Sequence, residues 1–96
     1  MRELIKIKSL LQTLKPALSE KYNVSESGLF GSVVRDDFND KSDVDIIIDF
    51  SKPIGIEFID IANLIENKLN RKVDLVSKKG IKQKYMQAIE SEILYI

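Results

Sequence analysis

The chain has 96 residues and a 44% hydrophobic composition, enough for one compact domain with one core and too little for two. Its 15 basic and 15 acidic side chains cancel, which argues against a general nucleic-acid or membrane-surface binder, because either needs a net basic field. It contains no Cys and no His, so disulfides, thiolate zinc sites and imidazole acid–base chemistry are excluded, and any metal must be held by oxygen.

The opening MRELIKIKSLLQTL is interrupted by charges every few residues and lacks the apolar run of a signal peptide. The longest uncharged stretch, Ser27 to Val34, is eight residues, far short of the ~20 that cross a bilayer. The expectation is a soluble cytoplasmic protein, one domain over residues 1–96, with its oligomeric state left open. Any substrate-recognition domain must then come from another chain.

Leu4, Ile7, Leu11, Leu14 and Leu18 recur at spacings of three and four, which predicts an amphipathic helix ending near Tyr22-Asn23. Pro16 falls inside it. Since Pro cannot donate a helical hydrogen bond, the expectation is a kink, or a second short helix starting near Thr13 to Lys15. Glu26 to Phe30 reads as a short strand delivering Gly31-Ser32 to the top of a sheet. Ser32 is placed as the N-cap of a helical turn over Val33 to Asp36, whose free backbone N–H groups would face an anion. Asp36 to Ser42 is polar and read as loop.

Asp43 to Phe50 is the clearest strand. Val44, Ile46, Ile48 and Phe50 alternate onto one apolar face, while Asp43, Asp45 and Asp49 share the other with Ile47. Ser51 to Gly55 punctuates the chain, and Phe58, Ile61, Ala62, Ile65 and Leu69 then follow helical spacing. Lys72 to Val76 is a third strand, with Asp74 facing away from Val73 and Leu75. Lys78-Lys79-Gly80 turns into a last helix from about Ile81, with Tyr85, Ala88 and Ile89 inward. The apolar end Ile93 to Ile96 could finish that helix, add an edge strand, or meet a partner through Ile93, Tyr95 and Ile96. The fold class is α/β in two layers: a small mixed sheet, helices on one face and a cleft on the other.

Six of the eight Asp residues lie between Gly28 and Phe50. Residues i and i+2 of a strand lie roughly 6.6 Å apart on one face, so the carboxylate arms of Asp43 and Asp45 can share a pair of metal ions. Asp49, roughly 13 Å beyond Asp45, is too far to join them and is assigned to the strand end. Oxygen donors alone select a hard ion, Mg²⁺ or Mn²⁺, and Mg²⁺ commonly takes one or two carboxylates plus substrate phosphates. A lone D-x-D also describes two solvated carboxylates. Its combination with Gly31-Ser32 ten residues earlier and with Asp74 on a facing strand favours a nucleotide site. Gly31 permits close backbone approach to a ligand, and Ser32 can cap a turn and touch a phosphate at once. Arg35 can reach a phosphate or pair with the surrounding Asp cluster. Between Lys68 and Lys84, seven cations accompany the single acid Asp74, a basic flank that can face the acidic centre or simply be solvated.

At these residues the chain resembles the minimal nucleotidyltransferases of the DNA polymerase beta superfamily, whose signature is Gly-Ser, ten residues, Asp-x-Asp and a third Asp on a later strand. Here these are Gly31-Ser32, Asp43-Val44-Asp45 and Asp74, and the likeness covers nearly the whole chain. The resemblance implies a polymerase-beta-like fold, with Gly31, Ser32 and Arg35 holding the phosphates of ATP. It implies two Mg²⁺ (or Mn²⁺) ions on Asp43 and Asp45, and Asp74 as the third carboxylate of the metal and catalytic set, helping to activate an attacking hydroxyl. Family members often carry Gly after the Arg of this turn, where this chain has Asp36, and the extra negative charge is expected to weaken triphosphate binding. Many such small proteins resemble the antitoxin half of a toxin–antitoxin pair of type VII, which implies transfer of AMP from ATP to a Tyr of a HEPN-type toxin. Two rival expectations are an inactive relative that neutralises its partner by binding, and a small molecule as the AMP acceptor.

Overall fold

Strand alternation sets the architecture seen in a computed structural model, which describes residues 2–35, 38–39 and 41–96. The elements are α1 (Arg2–Tyr22), β1 (Val24–Phe30), β2 (Val44–Phe50), α2 (Glu57–Leu69), β3 (Val73–Ser77), α3 (Gln83–Ile89) and β4 (Leu94–Tyr95), with short 3₁₀ turns at Gly31–Val34 and Glu90–Glu92. They build one four-stranded sheet in the order β3-β2-β1-β4. β1 runs antiparallel to β2 and β4, and β2 runs parallel to β3. The sheet is therefore mixed, as expected.

Val44, Ile46, Ile48 and Phe50 of β2 point to one face, where they are buried with Ile7, Leu11, Leu14 and Leu18 of α1 and Ile61, Ile65 and Leu69 of α2. Ile46, Ile48, Ile61 and Ile65 are at most 1% exposed, and burying each such side chain contributes about 1.5–3 kcal/mol. The two long helices thus cover one face of the sheet. The short α3 lies against the opposite face, where Ile89 packs on Phe30 and Ile47 with Val76, Met86 and Ile93 around them. That second cluster fills the middle of the face on which the aspartates stand.

Three expectations need correction. α1 is one continuous helix through Pro16, so no second helix starts near Thr13 to Lys15. Pro16 and Gln12, whose carbonyl loses its usual donor, are both exposed, so water can replace the missing bond. Leu14 and Leu18 on either side are buried in one core, which anchors both halves of the helix. α3 starts at Gln83, not Ile81, and Tyr85 and Ala88 are exposed. Only two turns touch the sheet, and the face that meets it is Met86 and Ile89, three residues apart. The third correction concerns Ser32 and is described with the site.

Helix ends follow local chemistry. α1 stops at Asn23, in the left-handed region at φ 60, whose N–H donates to the Ser19 carbonyl at 3.1 Å. α2 stops at Asn70 with φ 53. Asn adopts this conformation more readily than most residues. Of the three fates open to the apolar carboxyl end, the edge strand is the one observed: Tyr95 and Leu94 pair with Gly28 and Leu29, and the Ile96 N–H donates to the Ser27 carbonyl at 2.8 Å. Among the described residues no helix is long and apolar enough to cross a membrane.

Candidate active site

β2 sits between β1 and β3, and its register places Asp45 opposite Phe30 on one side and Asp74 on the other. Phe30 is the last residue of β1, so the chain turns at Gly31 directly beside Asp45. Asp43 immediately precedes β2. The sheet thus brings Gly31, Asp43, Asp45 and Asp74 to one end of one face. Asp43 and Asp74 are exposed and Asp45 is half-buried.

Gly31 is required there twice over. Its φ of +75 lies in the left-handed region, and a Cβ built on it would fall 3.0 Å from Asp45 Cγ and 3.3 Å from Asp45 Cβ. The missing side chain is the space that the Asp45 carboxylate fills. Ser32 lies inside the 3₁₀ turn, not at its cap: the turn begins at Gly31, Phe30 stands in the cap position, and the Arg35 N–H closes back onto the Ser32 carbonyl at 3.1 Å. The positive φ of Gly31 starts the turn one residue earlier than the capping preference of Ser predicts.

Asp45 has its carboxyl pushed up from the ordinary 3.8 to about 6. Burial is the main cause, followed by the charges of Asp74 and Asp43 and a side-chain hydrogen bond with Asp74, partly offset by the Arg35 guanidinium. Among the described residues, three carboxyls gather at this end of the sheet and the Arg35 guanidinium offsets only part of their charge. An oxygen-only, electron-rich donor set of this kind suits a hard divalent ion. Among the described residues no three carboxylates converge tightly enough to hold an ion unaided, so two carboxylates completed by ligand oxygens is the fitting arrangement.

Arg35 reaches Glu92 of the second 3₁₀ turn, with Nη1 3.3 Å from Oε2 and 3.4 Å from Oε1. The Gly31 N–H donates to the same Oε1 at 3.1 Å. Glu92 carries no sequence signal, being 61 residues from Gly31 in a segment whose pattern speaks only of helix end. Three expected members of the Asp cluster, Asp36, Asp37 and Asp40, lie outside the described residues.

Asp49 stands at the far end of β2, as its spacing requires, accepting the Phe50 N–H at 2.9 Å and facing Lys79 at 3.7 Å. The ion pairs seen among the described residues of the basic segment lie away from Asp43, Asp45 and Asp74. Lys78 pairs with Glu26 at 2.8 Å and lies 5.3 Å over the Tyr95 ring, while Arg71 pairs with Glu3 at 3.3 Å and lies 4.6 Å over Phe38. These cations tie elements together. A cleft of about 320 Å³ between Phe50, Ile54, Ser77 and Lys79 opens at the Asp49 end of the sheet and includes none of the site carboxylates. Asp43 and Asp74 are exposed, which suits a ligand that supplies part of the coordination.

Residues 11–96 match the family model described as the nucleotidyltransferase domain. The chain belongs to this family. Among its relatives, the nucleotidyltransferase is 37% identical over 97 residues to the protein adenylyltransferase MntA of Thermococcus cleftensis, covering all of this chain and 98% of that one. It is 38% identical over 98 residues, the full length of both, to a Methanocaldococcus jannaschii protein described as a candidate protein adenylyltransferase. The fold is that of a crystallised mutant of the toxin–antitoxin pair MntA-HpeT, with a TM-score of 0.68 at 20% identity, covering 96% of this chain and 70% of that one. The resemblance read from Gly31-Ser32, Asp43-Val44-Asp45 and Asp74 thus agrees with whole-chain similarity to MntA-like nucleotidyltransferases.

Proposed function

We propose that this nucleotidyltransferase moves AMP from ATP to a hydroxyl of a partner protein, a Tyr of a HEPN-type toxin, and so serves as the antitoxin of a cytoplasmic toxin–antitoxin pair. The observation that carries the reading is the cross-strand pair of Asp45 and Asp74, with the Gly31 turn against Asp45 and Asp43 beside it, on a chain whose full-length relatives bear the name protein adenylyltransferase. The toxin as acceptor draws on the solved toxin–antitoxin structure that shares the fold.

Each residue has a separable task. Gly31 and Ser32 present backbone groups to the phosphates without a side chain between the turn and Asp45, and Arg35 adds cationic charge at the turn's exit. Asp43 and Asp45, with Asp74 at the edge, would hold two Mg²⁺ or Mn²⁺ ions. Such ions, completed by substrate phosphates, supply charge neutralisation along the triphosphate. Asp74 lies on the edge strand β3 and is exposed, so it can orient the incoming hydroxyl and accept its proton. The hydroxyl oxygen then bonds to the α-phosphorus as the bond to the bridging oxygen breaks and pyrophosphate leaves. Most of the rate enhancement comes from positioning and charge stabilisation.

Incubating the protein with labelled ATP, Mg²⁺ and its candidate toxin tests this reading. Label on a toxin Tyr, lost when Asp45 is replaced by Asn, supports it. A tight complex without label points to neutralisation by binding, and label on small acceptors without the partner points to a different substrate class.

A further inference from the structure

We propose that Glu92 is an internal occupant of the nucleotide site: its carboxylate sits on the Gly31 N–H and the Arg35 guanidinium, where a phosphate oxygen of ATP would sit, and the nucleotide must displace it to bind. The inference rests on the proposed nucleotide site and adds a residue to it. Glu92 Oε1 accepts from the Gly31 N–H at 3.1 Å, and both of its oxygens lie within 3.4 Å of Arg35 Nη1. A backbone N–H and a guanidinium converging on one anionic group is the donor arrangement that recognises phosphate.

Gly31 and Arg35 each donate to a carboxylate carried by the Glu90–Glu92 turn, which belongs to neither β1 nor β2. The Glu92 side chain is 27% exposed, so it can swing to water without unpacking the Phe30, Ile47 and Ile89 cluster beside it. A phosphate meeting Glu92 in place would face like charge as well as occupied donors. Displacement therefore costs affinity, because only the fraction of molecules with Glu92 withdrawn can bind. Glu92 keeps the turn formed when ATP is absent, at the expense of weaker binding.

Calorimetric titration of Mg²⁺-ATP, and separately of Mg²⁺-tripolyphosphate, into the full chain and its Glu92→Gln and Glu92→Ala variants tests the proposal. Tightening of both ligands in both variants, by about tenfold for the loss of a charged hydrogen-bonded competitor, is the expected result. Unchanged or weaker binding overturns it and makes Glu92 a support that holds Arg35 ready for phosphate. Failure of all three proteins to bind either ligand overturns the nucleotide site itself, a result distinct from the previous one. A measurement on the unaltered chain guards against misfolded variants: the Glu92 side-chain carboxyl carbon signal should move toward that of a solvated carboxylate as tripolyphosphate saturates the protein. A signal that stays in place at saturation overturns the proposal.

Discussion

Asp45 on β2 and Asp74 on β3 stand side by side across a parallel strand pair, and burial, followed by the charge of Asp74, lifts the Asp45 carboxyl to about 6. Neighbouring strands lie about 4.7–4.9 Å apart, so two carboxylates in register cannot avoid each other's charge. Without a cation between them, the fold is under electrostatic load at this point.

That load gives a pH signature in protein stripped of divalent ions. The folded-state value of about 6 lies above the unfolded 3.8, so the folded chain holds a proton that the unfolded chain has released. Asp45 therefore favours folding most below 3.8, and the contribution is lost as pH rises through about 6. Asp45→Asn should approach the melting temperature of the parent toward pH 4 and exceed it at pH 7. A gap of roughly 4–8 °C is what one kcal/mol produces in a domain of this size. Calorimetric melts in chelator across pH 4 to 8 check this, and a gap independent of pH would contradict it.

Adding Mg²⁺ or Mn²⁺ with ATP should raise the melting temperature of the parent chain, because a ligand bound only by the folded state stabilises it by mass action. Asp43→Asn and Asp45→Asn should each weaken Mg²⁺-dependent ATP binding, since either change removes a ligand of the ions that bridge to the phosphates. Unchanged affinity in both variants would remove the metal assignment.

Asp74→Asn separates the third carboxylate from the other two. ATP affinity should be largely kept, while AMP transfer to the partner falls by roughly 10²-fold or more, the scale of a lost general base. In single-turnover assays at saturating ATP the loss should appear in the rate. Transfer at the parent rate would return Asp74 to the ordinary surface acids.

Gly31→Ala should be costly for fold and site alike. The new methyl group would enter the space of the Asp45 carboxylate at a backbone φ of +75, adding a clash to the strain of about 1–2 kcal/mol that an L-residue carries in the left-handed region. A denaturant titration should show a loss above 1 kcal/mol, with ATP binding lost in the fraction still folded. Asp45→Gly in the same chain should recover part of the stability and none of the binding, which distinguishes the clash from a general intolerance of the turn.

The alternation of Val44, Ile46, Ile48 and Phe50 against Asp43, Asp45 and Asp49 was legible from sequence alone, because a pleated strand must send alternate side chains to opposite faces. The same local rule put Asp74 opposite Val73 and Leu75, and the period of α1 and α2 named the helix faces that cover the sheet. What lay beyond sequence depended on contacts between distant segments. Pro16 reads as a break until the burial of Leu14 and Leu18 in one core carries the helix through it. Tyr85 reads as inward until β4 and the short α3 leave only Met86 and Ile89 over the sheet. The glycine at position 31 could be read as a turn residue, but its reason, the Asp45 carboxylate occupying the place of a Cβ, exists only once β1 and β2 pair. Glu92 was invisible for the same reason: its meeting with Gly31 and Arg35 is set by the path of the chain around the far face of the sheet, and no local pattern of charge or period encodes a contact across 61 residues.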